Sequence, residues 1–221
     1  MNGHQLALAV HLPQTADFDN FVHRQDDAAV AALHAGDSAY LFGPAATGKT
    51  HLLMAAVRRH DGAYLPLSEA LALGAESLAG LDNVPALALD ELERLTADPA
   101  LWMALLRLLD QRLRQQRRTW MAARLPPEQL PALPADLRTR LSQWPRYGLS
   151  PLDDFGQRRL LTEAAHRRGL SLPDDVLNWW LRHLPRDAGS LLDTLTQLDR
   201  AALREQRRLT LPFVQSVVGW R

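Results

Sequence analysis

The chain contains no cysteine, which excludes disulfide staples, thiolate zinc sites and a cysteine nucleophile and fits a reducing compartment. Any catalytic chemistry must use oxygen, nitrogen or a bound cofactor. No stretch approaches the roughly eighteen uninterrupted apolar residues of a membrane span, and Met1 to Leu12 lacks the basic start and long apolar middle of a signal peptide. A soluble, cytoplasmic protein with no membrane partner is expected. Lysine is nearly absent as well: of 25 basic residues 24 are arginine, and the one lysine is Lys49. A chain that uses arginine everywhere else has kept a compact ammonium at one place, where a guanidinium fork would be too bulky or wrongly shaped. That place should be a site.

The 221 residues, 47% apolar and 23% charged, suffice for one sizeable core and a small second domain. Formal net charge is zero, yet residues 1 to 110 hold 6 basic against 14 acidic side chains and residues 111 to 221 hold 19 against 11. The halves thus carry −8 and +8. Such asymmetry suits head-to-tail packing on a like or related subunit, or a basic face near DNA. Arg112, Arg114, Arg117 and Arg118 read more simply as solvated cations ending a helix, where they suit the dipole.

Ser38 to Phe42 reads as a short buried strand, followed by Gly43 to Thr50 and a helical run from His51 to Arg59. Ala63 to Leu67 reads as a second strand, Leu71 to Leu78 as a weak helix, and Val84 to Leu89 as an apolar strand ending in Asp90-Glu91. Asp98-Pro99 looks like an N-cap with proline at the first helical position, opening a helix to about Arg118 with a stripe through Leu101, Leu105, Leu108 and Leu109. Thr119 to Ala123 and Arg146 to Leu149 complete the strands. Strands alternating with helices imply an α/β fold with a parallel sheet covered on both faces. After Ser150-Pro151 only helical periodicity remains, in four runs: Asp153 to Arg168, Pro173 to Leu184, Asp187 to Gln206 and Pro212 to Val218. This is a small all-α domain. The expected division is 1–16 as an N-terminal segment, 17–150 as the α/β domain and 151–221 as the helical domain, with Pro126 to Pro134 a loop inside the first.

Gly43 to Thr50 matches G-x-x-x-x-G-K-[ST] in the strand-loop-helix context of a phosphate-binding loop. Gly43 and Gly48 let the backbone of the loop, Pro44, Ala45, Ala46 and Thr47, curl so that its N–H groups, which all but Pro44 carry, and those at the helix start near His51 face the phosphates. Lys49 reaches the outer phosphates and Thr50 ligates magnesium. Asp90 supplies the second metal-side carboxylate and Glu91 polarises an attacking water. ADP or ATP with Mg2+ is the implied ligand. Arg138 and Arg140 lie in a short helix before the last strand, where spacing alone reads them as solvated. Trp179-Trp180 divides between core and a contact surface, and the eight histidines show no metal-ligand spacing.

The loop, the Asp90-Glu91 strand end, Arg140 and the helical C-terminus together resemble the AAA+ ATPases of the DnaA group, most of all the Hda family of DnaA-homologous regulatory inactivators. Asp17 to Val22, Tyr64 to Leu67, Gln197 to Arg200 and Leu211 to Val214 carry that resemblance along nearly the whole chain. It implies a P-loop AAA+ domain with a helical lid, and Arg140 acting as an arginine finger on a DnaA subunit's ATP. Gln5-Leu6-Ala7-Leu8 resembles the family's docking peptide for the polymerase sliding clamp, with Gln5, Leu6 and Leu8 as anchors. The chain ends at Arg221, so no C-terminal helix-turn-helix is expected; contact with DNA would be indirect or non-specific. Two departures bear on catalysis. The family's polar sensor after the fourth strand is replaced by Ala122-Ala123-Arg124-Leu125, and the lid arginine aligns with Gly189. The implied function is a clamp-tethered adaptor that stimulates hydrolysis of DnaA-bound ATP in trans, with weak turnover of its own and a possible head-to-tail homo-oligomer. A self-hydrolysing helicase loader or DnaA-like remodelling ATPase is the alternative, and a pure interaction protein with a vestigial pocket is a third.

Overall fold

The computed structural model describes residues 16–22, 28–95, 98–131 and 133–219. Its first unit is built on a five-stranded sheet of β1 (Ala39–Phe42), β2 (Ala63–Pro66), β3 (Ala86–Asp90), β4 (Arg118–Ala123) and β5 (Arg146–Gly148), in the order β2-β3-β4-β1-β5. Every pairing is parallel. Because helices cover both faces, the strands read as unbroken apolar runs, and alternation sends successive side chains to opposite cores. Tyr40, Leu87, Leu89, Met121 and Ala123 face α3 (Leu67–Leu73), α4 (Pro99–Arg114) and α5 (Ala135–Leu141). Ala39, Leu41, Ala86, Ala88, Trp120 and Ala122 face α1 (Ala28–Ala35) and α2 (Lys49–Arg59).

Local chemistry sets the helix limits. Asp98 caps α4 by accepting from the Ala100 and Leu101 amides, with Pro99 at the first position, and Leu101, Leu105, Leu108 and Leu109 are all buried. Each such leucine contributes about 1.5–3 kcal/mol when removed from water. Two helices differ from the sequence expectation by more than two residues. α3 starts and ends earlier because Gly74, at φ 83°, stops it, leaving Ala75–Leu78 as a 3-10 turn. α4 ends at Arg114, since Gln116 turns left-handed at φ 51° and the chain has begun β4 by Arg118.

The second unit comprises α6 (Asp154–Arg167), α7 (Asp174–His183), α8 (Ala188–Glu205) and α9 (Leu211–Val217) around Leu161, Val176, Trp180, Leu195, Leu198 and Phe213. Val22 packs in this core, not with the sheet. Asp153 and Asp187 cap α6 and α8 by accepting from the Gly156 and Ser190 amides. Trp180 is fully buried in this core, as one of the pair was expected to be, and Trp179 packs at the edge of the same core, stacked on His183 at 5.1 Å.

Candidate functional site

The order β2-β3-β4-β1-β5 makes the chain reverse direction around β1, and in open parallel sheets the crevice at the carboxyl ends beside such a reversal is where ligands bind. The loop Gly43 to Gly48 leaves β1 there and enters α2 at Lys49. It curls through three left-handed residues: Gly43 at φ 151°, Ala46 at 58° and Gly48 at 90°. A Cβ on Gly43 would fall 2.2 Å from the Leu149 carbonyl oxygen, and one on Gly48 2.4 Å from Phe21 Cε2. Glycine is therefore required at both. Pro44, Ala45 and Ala46 form the exposed crest of the loop, while Thr47 is buried and donates to Pro44 O at 3.0 Å.

Lys49 is buried beneath this crest, its Nζ donating to Gly43 O and Pro44 O, both at 2.7 Å. Burial lowers its pKa; Asp90 and Glu93 act in the opposite sense, and Arg124 adds to the lowering. Thr50 Oγ1 donates to Asp90 Oδ2 at 2.6 Å, joining loop to strand end across forty residues. The His51 Nε2 lies 2.8 Å from Asp17 O, and Phe21 lies against the same ring, so the segment before α1 covers one flank of the loop.

Asp90 is buried at the end of β3, which pushes its pKa up despite three donors: Thr50, the Glu91 amide at 2.8 Å and the Tyr64 hydroxyl at 2.9 Å. Glu91 turns left-handed at φ 60°, a conformation that costs a non-glycine residue about 1–2 kcal/mol and clusters at functional sites. Its carboxylate accepts from Ser68 Oγ. At the end of β4, Ala122 and Ala123 are buried methyls opposite Leu41 and Phe42. The next residue, Arg124, is bound twice by Glu93, which accepts from its amide and from its Nε, each at 3.1 Å. Gly189 lies in the first turn of α8.

Arg140 occupies the last turn of α5 and is not a free cation: its Nε is ion-paired with Asp110 of α4. Arg138, on the same helix, instead donates to Leu133 O at 3.2 Å. Arg112, read from sequence as solvated, is fully buried. It donates to Thr119 Oγ1, to the carbonyls of Leu81 and Val84 and to that of Arg118. Ser68, Glu93 and Asp110 were not singled out by the sequence, and Tyr64 entered only as part of a strand, since each meets its partner only in the folded chain. Gln5, Leu6 and Leu8 lie outside the described residues.

The donor set fits a nucleotide with Mg2+. The loop carries a buried ammonium and a helix N-terminus behind it, and the Thr50 hydroxyl and Asp90 carboxylate that meet there are oxygen ligands of the kind a small hard cation takes. Among the described residues no cluster of three or more His, Cys, Asp or Glu side chains could hold a metal alone, and no helix is long and apolar enough to cross a membrane.

Residues 154–218 match the family model described as "Hda, lid domain". Domain III of the Thermotoga maritima replication initiation protein DnaA superposes with a TM-score of 0.79 at 17% identity, over 94% of this chain and 97% of that one. AMPPCP-bound DnaA from Aquifex aeolicus gives 0.70 at 18% identity, over 88% and 71%. A single-residue variant of Thermotoga maritima RuvB gives 0.64 at 17%, over 92% and 71%. The parallel sheet with flanking helices and the helical C-terminus is therefore the AAA+ fold, and the helical unit is similar to the Hda lid domain over residues 154–218.

Proposed function

We propose that this chain, a DnaA-like AAA+ fold with a helical unit similar to the Hda lid domain, is a nucleotide-binding regulator of replication initiation that stimulates hydrolysis of DnaA-bound ATP in trans. Gly43 to His51 would hold ADP or ATP, with Lys49 against the outer phosphates and with Thr50 and Asp90 on the Mg2+ side. The ion neutralises phosphate charge and orients it when bound. The chain's own groups do the rest: the loop amides and the α2 N-terminus attract phosphate, and the buried Lys49 supplies a positive charge little screened by water. Gln5, Leu6 and Leu8 would tether the chain to the sliding clamp as an extended apolar peptide. Work in a cytoplasmic complex, and head-to-tail packing on DnaA or on itself, belong to the same reading.

One observation carries the trans mechanism: Lys49 and Asp90 cluster at the carboxyl ends of the strands, and Arg140 lies toward the other end. α4 runs from the end of β3 back toward the start of β4, and Arg112 near its close bonds Arg118 at that start. Asp110, Arg140's partner, is half a turn away. A strand of four residues spans about 13 Å, so Arg140 is poorly placed for the nucleotide of its own chain, which supports its acting on a neighbour's. The alternative, a self-hydrolysing remodelling ATPase, is favoured by Glu91 beside Asp90. ATP turnover separates the two. With DnaA and clamp-loaded DNA, the wild-type chain should raise phosphate release and Arg140→Ala should not. Full stimulation by Arg140→Ala overturns the trans mechanism.

A further inference from the structure

The Asp110–Arg140 pair is built asymmetrically. Arg140 Nε and Asp110 Oδ1 are both closed off from solvent and meet without a well-angled hydrogen bond, so charge joins them. Arg140 Nη1 donates to Gln143 Oε1 at 3.1 Å, and Nη2 bonds no described residue. The guanidinium therefore has an anchored inner edge and an outward edge with donors to spare, while about 29% of each side chain stays exposed. The anchors ride on fixed elements. Asp110 lies between the buried Leu109 and Arg112 of α4, and α5 is held in the same core by Leu137 and Leu141.

We infer that Asp110 is a positioning residue for Arg140, holding the inner edge of the guanidinium so that its outward edge is presented to the phosphates of a neighbouring subunit's nucleotide. This rests on the reading of Arg140 as a group that acts in trans. Two effects of the carboxylate oppose one another. Its charge offsets part of the guanidinium's and repels an incoming phosphate. Its grip removes rotamers that an unpaired arginine would have to give up at the moment of contact. The repulsion acts from the far side of the guanidinium, farther from the phosphate than the guanidinium's own charge, and on a pair whose side chains keep about 29% of their surface in water. Orientation acts directly on the transition state, where a misplacement of about 1 Å costs on the order of 100-fold. The grip should dominate.

The test measures DnaA-bound ATP hydrolysis against concentration of the full-length chain, with clamp-loaded DNA, for wild type, Asp110→Ala, Asp110→Asn, Asp110→Glu, Arg140→Ala and the double variant Asp110→Ala/Arg140→Ala. Loss of positioning lowers the plateau for Asp110→Ala by about tenfold or more, with the half-saturating concentration within about twofold of wild type because docking is intact. Asp110→Glu, which keeps the charge, recovers part of the plateau. The double variant is no worse than Arg140→Ala, since residues acting as one unit are non-additive. A role confined to stability would change melting temperature and half-saturation and leave the plateau alone. If Asp110→Ala does not fold, Asp110→Asn carries the same plateau comparison. A plateau equal to or above wild type for the Asp110 variants overturns the inference even where Arg140→Ala is inactive. Full activity of Arg140→Ala overturns the trans reading itself, and the role of Asp110 falls with it.

Discussion

The Tyr64 hydroxyl lies 2.9 Å from Asp90 Oδ2, the same oxygen that Thr50 reaches at 2.6 Å. Burial of this carboxylate, opposed by its donors, gives the site a pH dependence. Burial lifts Asp90 above its ordinary value of 3.8, so the native state binds this proton more tightly than the unfolded chain does. The resulting stability is complete below that ordinary value and is lost as pH rises through the raised native one. At neutral pH the carboxylate is a cost that its donors limit. Tyr64→Phe removes one donor and should destabilise the fold by about 1–3 kcal/mol at pH 7, with a smaller loss at a pH below the ordinary value of 3.8, where Asp90 carries its proton. Urea unfolding at both pH values checks this. An equal loss at both would show that Tyr64 acts through packing alone.

The Gly43 to Gly48 loop between β1 and α2, the five strands and the C-terminal helices were legible in sequence because their signals are local: a motif of eight residues, apolar runs, and a 3.6-residue period. Asp90 was legible because it ends an apolar strand. Arg112 was not, because a basic residue near the end of a helix among Arg114, Arg117 and Arg118 has the same local signature whether it is solvated or buried. Its partners, Leu81, Val84 and Thr119, come from other segments. The same holds for Arg140, whose resemblance to a finger is in the sequence but whose pairing with Asp110 depends on how α4 packs on α5. The early stop of α3 at Gly74 was available in principle, since glycine at a positive φ commonly ends a helix.

Arg112 should be among the most sensitive positions in the chain. Burial lowers its pKa to about 10, so it stays charged at neutral pH, and it satisfies three carbonyls that connect α4 to the approaches of β3 and β4. Arg112→Ala strands those acceptors and leaves a cavity, a combination worth about 3–5 kcal/mol. Arg112→Lys cannot reproduce the planar fork and should recover only part of this. Thermal unfolding of both variants measures it. A loss below about 1 kcal/mol, the range of ordinary surface changes, would contradict the assignment.

Lys49 should govern nucleotide affinity. Hydrogen bonds to charged groups contribute about 1.5–3 kcal/mol each, so Lys49→Ala should weaken ADP binding by roughly 10- to 100-fold. Lys49→Arg should not restore it, because the ammonium sits in a buried space framed by Gly43 O and Pro44 O that a fork would overfill. Calorimetric titration with ADP and Mg2+ decides. Equal affinity in wild type and Lys49→Ala would place binding elsewhere.

The chain's own ATP turnover should be slow, and the reason lies at the end of β4. Ala122 and Ala123 present buried methyls there, opposite Leu41 and Phe42, the residues that lead into the Gly43 to Gly48 loop, so neither can orient water or stabilise phosphate charge. Arg124 follows immediately, yet Glu93 holds both its amide and its Nε. The water-polarising candidate, Glu91, is itself engaged by Ser68. Each missing donor of this kind costs about 10²–10³ in rate against enzymes that turn over at roughly 1–10³ per second. Turnover well below about 0.1 per second follows for the isolated chain. Glu91→Gln should lower this small rate little, while DnaA-bound ATP hydrolysis should remain sensitive to Arg140. Steady-state phosphate release from the purified chain, with and without DnaA, measures both. Brisk turnover by the isolated chain that Glu91→Gln abolishes would show that it hydrolyses ATP on its own account, and the remodelling-ATPase reading would replace the regulatory one.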